Sequence, residues 1–210
     1  MNYFARKDLL VAICCLVFLG LLASSWLGRS GRAARRAGCT ENMRQLLKGF
    51  EGFANDYGKL PTSGRVKDPK ESDWIYWQKN RVLKNSALAT NFAGFSEALR
   101  CPGDRQSQRR DYSYSYTMNV HLEQLNPRQL TNTNDVILLL EEGAPNDGAC
   151  VPGLRADRLS RRHAGWSNAG FLDGQVKLIK ERDLVYPLRV IPLFSPQSTT
   201  NAPPEGPPTR

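Results

Sequence analysis

Histidine is almost missing from this chain: His121 and His163 are the only two among 210 residues. That scarcity excludes a His-rich metal centre and leaves little for a Ser-His-Asp hydrolase. Cysteine is also sparse. Cys14 and Cys15 sit in an apolar run as small packing residues, while Cys39, Cys101 and Cys150 show no Cys-x-x-Cys or zinc-finger spacing. Acids are outnumbered, 20 Asp plus Glu against 29 Lys plus Arg, and the resulting net charge of +9 permits a polyanion or an anionic surface as partner without requiring one. A content of 40% hydrophobic and 23% charged residues excludes disorder throughout and a polytopic membrane protein. The length leaves room for one domain with extensions.

Long hydrophobic runs are absent but for one. From Leu9 to Leu27 nineteen residues carry no charge, about 28 Å of helix, which just spans a bilayer. The run exceeds a signal-peptide core of about 7–15 residues and lacks a small-x-small cleavage site, so an uncleaved anchor is expected over residues 9–27. Trp26 suits the headgroup interface near one end of the run; Arg6 and Lys7 against Asp8 flank the other, while Arg29, Arg32, Arg35 and Arg36 follow Trp26, and this charge balance mildly favours a cytoplasmic C-terminal part.

Residues 28–57 read as an amphipathic stem. Met43, Leu46, Leu47, Phe50, Phe53, Ala54 and Tyr57 recur at spacings of three and four, Gly58 supplies a stop and Pro61 follows. No strong breaker separates span from stem, so one helix of about 49 residues is expected.

The head, residues 58–194, mixes helix and strand signals around an expected antiparallel sheet, an α+β class. It contains the aromatic cluster Asp73 to Trp77, a short helix at Asn91 to Leu99, a half-buried strand at Tyr112 to Tyr116 and a central strand at Val136 to Leu140. Ala169 to Leu172, Asp173-Gly174 and Gln175 to Ile179 read as a hairpin with a type I′ turn. Seven of the thirteen prolines lie between Pro187 and Arg210, so residues 195–210 are expected to be a disordered tail.

Several motifs, in order, resemble the type IV pilin and type II secretion pseudopilin superfamily. Phe4 to Val11 is similar to that family's Phe-Thr-Leu-Ile-Glu-Leu-Leu-Val start, and Cys39 to Leu46 with Phe53 to Gly58 is similar to its stem. Cys101-Pro102-Gly103-Asp104 and Ser115-Tyr116-Thr117-Met118-Asn119 recur in the same group. His163, nine residues, then Asp173-Gly174 matches a prepilin-processing-associated domain named for that spacing.

The resemblance covers about residues 4 to 183 and implies a long N-terminal helix on a small α+β head. It further implies a non-enzymatic structural subunit of a filament or type II secretion-related assembly, without cofactor or small-molecule substrate. Partners would be the lipid bilayer and other pilin-like subunits, with a periplasmic head on a single-pass inner-membrane anchor. Residues 1–8 stand where the family has its leader, Tyr3 replaces the Gly before the cut, and Asp8 aligns with the acid that contacts a neighbouring subunit. Cys101, Pro102, Asp104, Tyr116, Asn119, His163, Asp173 and Gly174 are the motif residues, expected to be structural.

Other readings of the same residues carry less. Asp8 next to Arg6 and Lys7 can simply pair locally, and Gly165 to Ala169 mimics a nucleophile elbow but is followed by a strand with both histidines earlier in the chain. Glu141, Glu142, Asp147 and Asp173 offer oxygen ligands without an EF-hand spacing. Arg109-Arg110 beside Tyr112, Tyr114 and Tyr116 mixes charge with aromatics, but solvated arginines beside a strand are commoner than a nucleic-acid face. The rival class is a stand-alone anchored binding module whose basic head holds a polyanion. Cys39, Cys101 and Cys150 can pair in three ways, of which Cys101 with Cys150 would staple head loops.

Overall fold

The computed structural model describes residues 6–90, 94–105, 113–131, 133–151, 157–180 and 197–198, with the backbone alone described at 6–8, 23–29, 131 and 197–198. A single helix, α1 (Arg6–Tyr57), runs for 52 residues with no proline to interrupt it. It stops where the sequence says. Gly58 adopts φ +71°, and its N–H donates to the Ala54 carbonyl at 2.9 Å, an αL cap.

The last third of α1 buries Cys39, Met43, Leu46, Leu47, Phe50 and Phe53 against the head. Each such large side chain contributes about 1.5–3 kcal/mol on leaving water. Tyr57 instead is exposed, stacked on Phe53 with ring centroids 4.4 Å apart.

The transmembrane helix expected over residues 9–27 is overturned. Among the described residues no helix is long and apolar enough to cross a membrane. On α1 the uncharged run is closed in by Arg6, Lys7 and Asp8 before Leu9 and by Arg29 and Arg32 soon after Leu27. The single-pass inner-membrane localisation, with its periplasmic head, falls with that span.

The head is α+β, as expected, but its sheet is mixed rather than antiparallel. Five strands lie in the order β4 (Ala149–Cys150), β1 (Tyr116–Asn119), β3 (Ile137–Glu141), β5 (Ser167–Phe171) and β6 (Val176–Ile179). The edge pair β1 and β4 is parallel; the other three pairings are antiparallel. The strand expected at Val136 to Leu140 is the central β3, buried throughout. The strand expected at Tyr112 to Tyr116 begins only at Tyr116, and β1 is buried at every residue instead of alternating. The short helix of the 91–99 stretch is α2 (Phe95–Ala98); residues 91–93 lie outside the described set. In the 195–210 segment, the described residues form β7 (Gln197–Ser198), which pairs with β2 (Leu130–Thr131).

Two local geometries place the site. Gly170 on β5 faces α1 so closely that a Cβ would stand 3.0 Å from Leu47 Cδ1 and 3.2 Å from Met43 Cγ, so the helix lies directly on the sheet. The β5–β6 turn is not type I′. Only Gly174 has positive φ, +83°; its N–H donates to the Phe171 carbonyl at 3.0 Å, and Phe171 N–H bonds the Gln175 carbonyl, a type I turn closed by a G1 bulge.

Candidate functional site

Five separate stretches of chain meet where α1 crosses the sheet. The end of β3 brings Glu141, fully buried, and β1 opens with Tyr116, also fully buried. The turn Cys101 to Asp104 is closed by the Asp104 N–H to the Cys101 carbonyl at 2.8 Å, the turn before β5 brings Arg162 and His163, and α1 brings Cys39.

These groups form one paired network. His163 Nε2 lies 2.9 Å from Glu141 Oε2 and 3.6 Å from Cys101 Sγ. Glu141 Oε2 also accepts from the Asn168 backbone N–H and from Asn168 Nδ2, both at 3.2 Å. Arg162 reaches Asp104 Oδ2 at 2.7 Å, Glu141 Oε1 at 3.5 Å, and the carbonyls of Glu142 and Gly143 at 2.6 and 3.1 Å. Asp104 Oδ2 takes a further bond from Ser115 Oγ at 2.8 Å, and Ser115 Oγ accepts the Cys101 N–H at 3.1 Å. Tyr116 Oη donates to the Cys39 carbonyl at 3.2 Å, and burial, reinforced by Glu141, pushes its phenol well above the ordinary tyrosine range. Burial of so many polar groups is tolerated because each is paired.

A disulfide between Cys39 and Cys101 closes the site, so Cys101 does not pair with Cys150, which is a buried free thiol. The bond ties α1 to the head across a sequence separation of 62.

Cys101, Asp104, Tyr116 and His163 therefore converge, and the other motif residues do not. Pro102 packs beside Gly38, where a Cβ would stand 3.1 Å from the Pro102 ring. Asn119 caps a turn, accepting the His121 N–H and donating to the Ile137 carbonyl. Asp173 is exposed and accepts the Gln175 N–H at 2.9 Å. The nine-residue spacing from His163 to Asp173 is thus β5 plus its two ends, and the Asp-Gly pair sits at the far tip of the hairpin. There it borders a groove of about 540 Å³ between α1 and the hairpin. Asp8 lies on α1 with its side chain outside the described set.

Ser167 Oγ donates to the Glu141 carbonyl at 2.8 Å from within a strand, which removes the nucleophile-elbow geometry. The oxygen set gathers only in part: Asp147 lies near enough to Glu142 to raise it, but Glu141 faces His163 and Asp173 is at the hairpin tip. Glu142 points away into a second buried region beside Cys150, where neither carboxylate oxygen has a hydrogen bond of normal geometry among the described residues; burial, then Asp157, raises it to about 8. Tyr116 is buried and Tyr114 stacks edge-on against Trp77, so neither offers a face to bases; Arg109, Arg110 and Tyr112 lie outside the described residues.

Beside the network a cleft of about 610 Å³ is lined by Arg32, Arg35 and Arg36 of α1, Arg105, Arg162, His163 and Ala164. Ala164 holds φ +55°, a costly conformation for a residue with a Cβ. Comparison with protein-family models, with curated proteins and with solved structures finds no match.

Proposed function

We propose that this chain is a pilin- or pseudopilin-like structural subunit of a filament or type II secretion-related assembly, and that it does no chemistry of its own. The observation that carries this reading is the N-terminal half of α1. Leu9, Leu10, Val11, Ile13, Leu16, Val17, Phe18, Leu19, Leu21 and Leu22 are between 48% and 69% exposed, on every side of the helix. An apolar helix surface of that extent needs other helices around it, since soluble monomers rarely leave contiguous apolar patches beyond a few hundred Å². The disulfide and the Arg162 network complement it by clamping the other half of α1 to the head.

Sedimentation velocity on the full chain tests this. Assemblies larger than a dimer are expected, and replacing Leu16 and Leu19 by Glu reduces them to monomer. A wild-type monomer at micromolar concentration overturns the reading.

A second reading, a polyanion-binding module, draws on the arginine cleft. Arg32, Arg35, Arg36 and Arg105 line it together, and such a site binds heparin or an oligonucleotide with steep salt dependence. If that binding survives Arg32, Arg35 and Arg36 all being changed to Ala, the cleft is not the site.

A further inference from the structure

We propose that in the reduced chain Cys39, Cys101, His163 and Glu141 bind one zinc ion, so that a single buried donor set exists either as a disulfide or as a metal centre. The four ligand atoms all lie within 4.8 Å of one another, and all four residues are buried. Two thiolates, an imidazole and a carboxylate form a borderline-soft set that suits tetrahedral zinc.

The spacing is close to what the metal requires. Zn–S bonds of about 2.3 Å and Zn–N or Zn–O bonds of about 2.0–2.1 Å put tetrahedral donors roughly 3.3–3.8 Å apart. His163 Nε2 is already 3.6 Å from Cys101 Sγ and 2.9 Å from Glu141 Oε2. On reduction the two sulfurs part to about 3.8 Å, the His163–Glu141 pair opens from 2.9 Å to about 3.3 Å, and donors as far apart as 4.8 Å draw together around the ion.

An outer shell suited to a metal surrounds these donors. The Gly103 N–H points at Cys101 Sγ at 3.3 Å, an amide that stabilises a thiolate. Asn168 holds Glu141 Oε2 with two N–H groups at 3.2 Å, orienting the carboxylate. Two thiolates and a carboxylate exceed the zinc charge by one, and Arg162, 3.5 Å from Glu141 Oε1, supplies a cation beside them. The arginine cleft, which His163 lines, gives a path inward. Its positive charge opposes an aquated cation, so loading is slow.

The chemistry balances. A dithiol reductant transfers two electrons and two protons to the Cys39–Cys101 bond, leaving two thiols and closing its own disulfide. Zinc then forms two Zn–S bonds and releases the two thiol protons, while the proton between His163 Nε2 and Glu141 Oε2 shifts to His163 Nδ1 by a change of tautomer, which frees Nε2 and Oε2 to complete the shell.

The test uses the full chain with Cys14, Cys15 and Cys150 changed to Ser, reduced with dithiothreitol, freed of reductant without oxygen and incubated overnight with zinc or cobalt(II). The reduced protein should retain one metal per chain. Its cobalt form should show tetrahedral visible bands with thiolate charge transfer, and its zinc absorption fine structure should show two sulfurs and two lighter atoms. The same protein with its disulfide intact should retain none, and His163→Ala or Glu141→Gln should weaken binding more than about tenfold. A reduced protein that stays metal-free, an octahedral cobalt spectrum, or a shell without two sulfurs overturns the proposal, whether or not the variants fold.

Discussion

His163 and Glu141, 22 residues apart in sequence and both buried, approach to 2.9 Å between Nε2 and Oε2. This pairing joins the turn before β5 to the end of β3, and Asp104, through Arg162, brings in the Cys101 turn. The motif histidine is thus a buried, paired group that borders the arginine cleft.

The first prediction is a ranking of variants. From the sequence alone, Gly174→Val looks far more damaging than His163→Ala, because a β-branched residue resists positive φ. The structure reverses that order. A Cβ at Gly174 meets open space, so the cost is the backbone strain, about 1–2 kcal/mol. Arg162→Ala leaves Asp104 and Glu141 buried without their cation and should cost about 3–5 kcal/mol, with His163→Ala between the two. Urea unfolding of the oxidised, metal-free protein gives all three values.

Removing the clamp between α1 and the head should be nearly as costly. Cys39→Ser frees a chain loop spanning a separation of 62 residues, for which loop-closure entropy gives about 4 kcal/mol. Cys150→Ala, at a thiol with no disulfide, should cost about 1 kcal/mol. Equal losses in urea would show that the disulfide contributes nothing beyond packing.

Glu142 makes stability depend on pH. Its ordinary value of 4.5 rises to about 8 in the folded protein, chiefly through burial. Between those values the folded chain holds a proton that the unfolded chain has released, so stability contributed by the neutral acid is full at low pH and declines as pH rises to about 8. Glu142→Gln should flatten this slope and gain about 2 kcal/mol near pH 7.5 in the oxidised protein. A wild-type melting profile that climbs with pH over that window would contradict the assignment.

Legibility in the sequence followed how local the determining physics is. The end of α1 at Gly58, the stripe from Met43 to Phe53 and the central strand β3 depend on neighbours in the chain, and periodicity or a glycine declares them. The Tyr112 to Tyr116 alternation suggests a half-buried strand, but Tyr116 opens a strand that is buried at every residue. The Asp173-Gly174 pair suggests a type I′ turn, which needs positive φ at both residues, whereas only Gly174 has it. The partners of His163 were invisible: Glu141 looked like one acid of an oxygen-rich loop, and only the pairing of β3 with β5 puts it beside the imidazole. Disulfide choice among Cys39, Cys101 and Cys150 depends on the packing of α1, which spacing does not encode.

The central claim, assembly through the apolar half of α1, is tested most directly at the native cysteines. Cys14 and Cys15 are exposed on that helix, Cys39 and Cys101 are bonded to each other, and Cys150 is buried, so a bis-maleimide reacts at the first two. The assembly account predicts a ladder of cross-linked species extending beyond dimer in the purified full chain, lost when Leu16 and Leu19 become Glu. Monomer alone from a Cys15→Ser chain, with Cys14 shown to be modified so that no bridge can form within one chain, would contradict it.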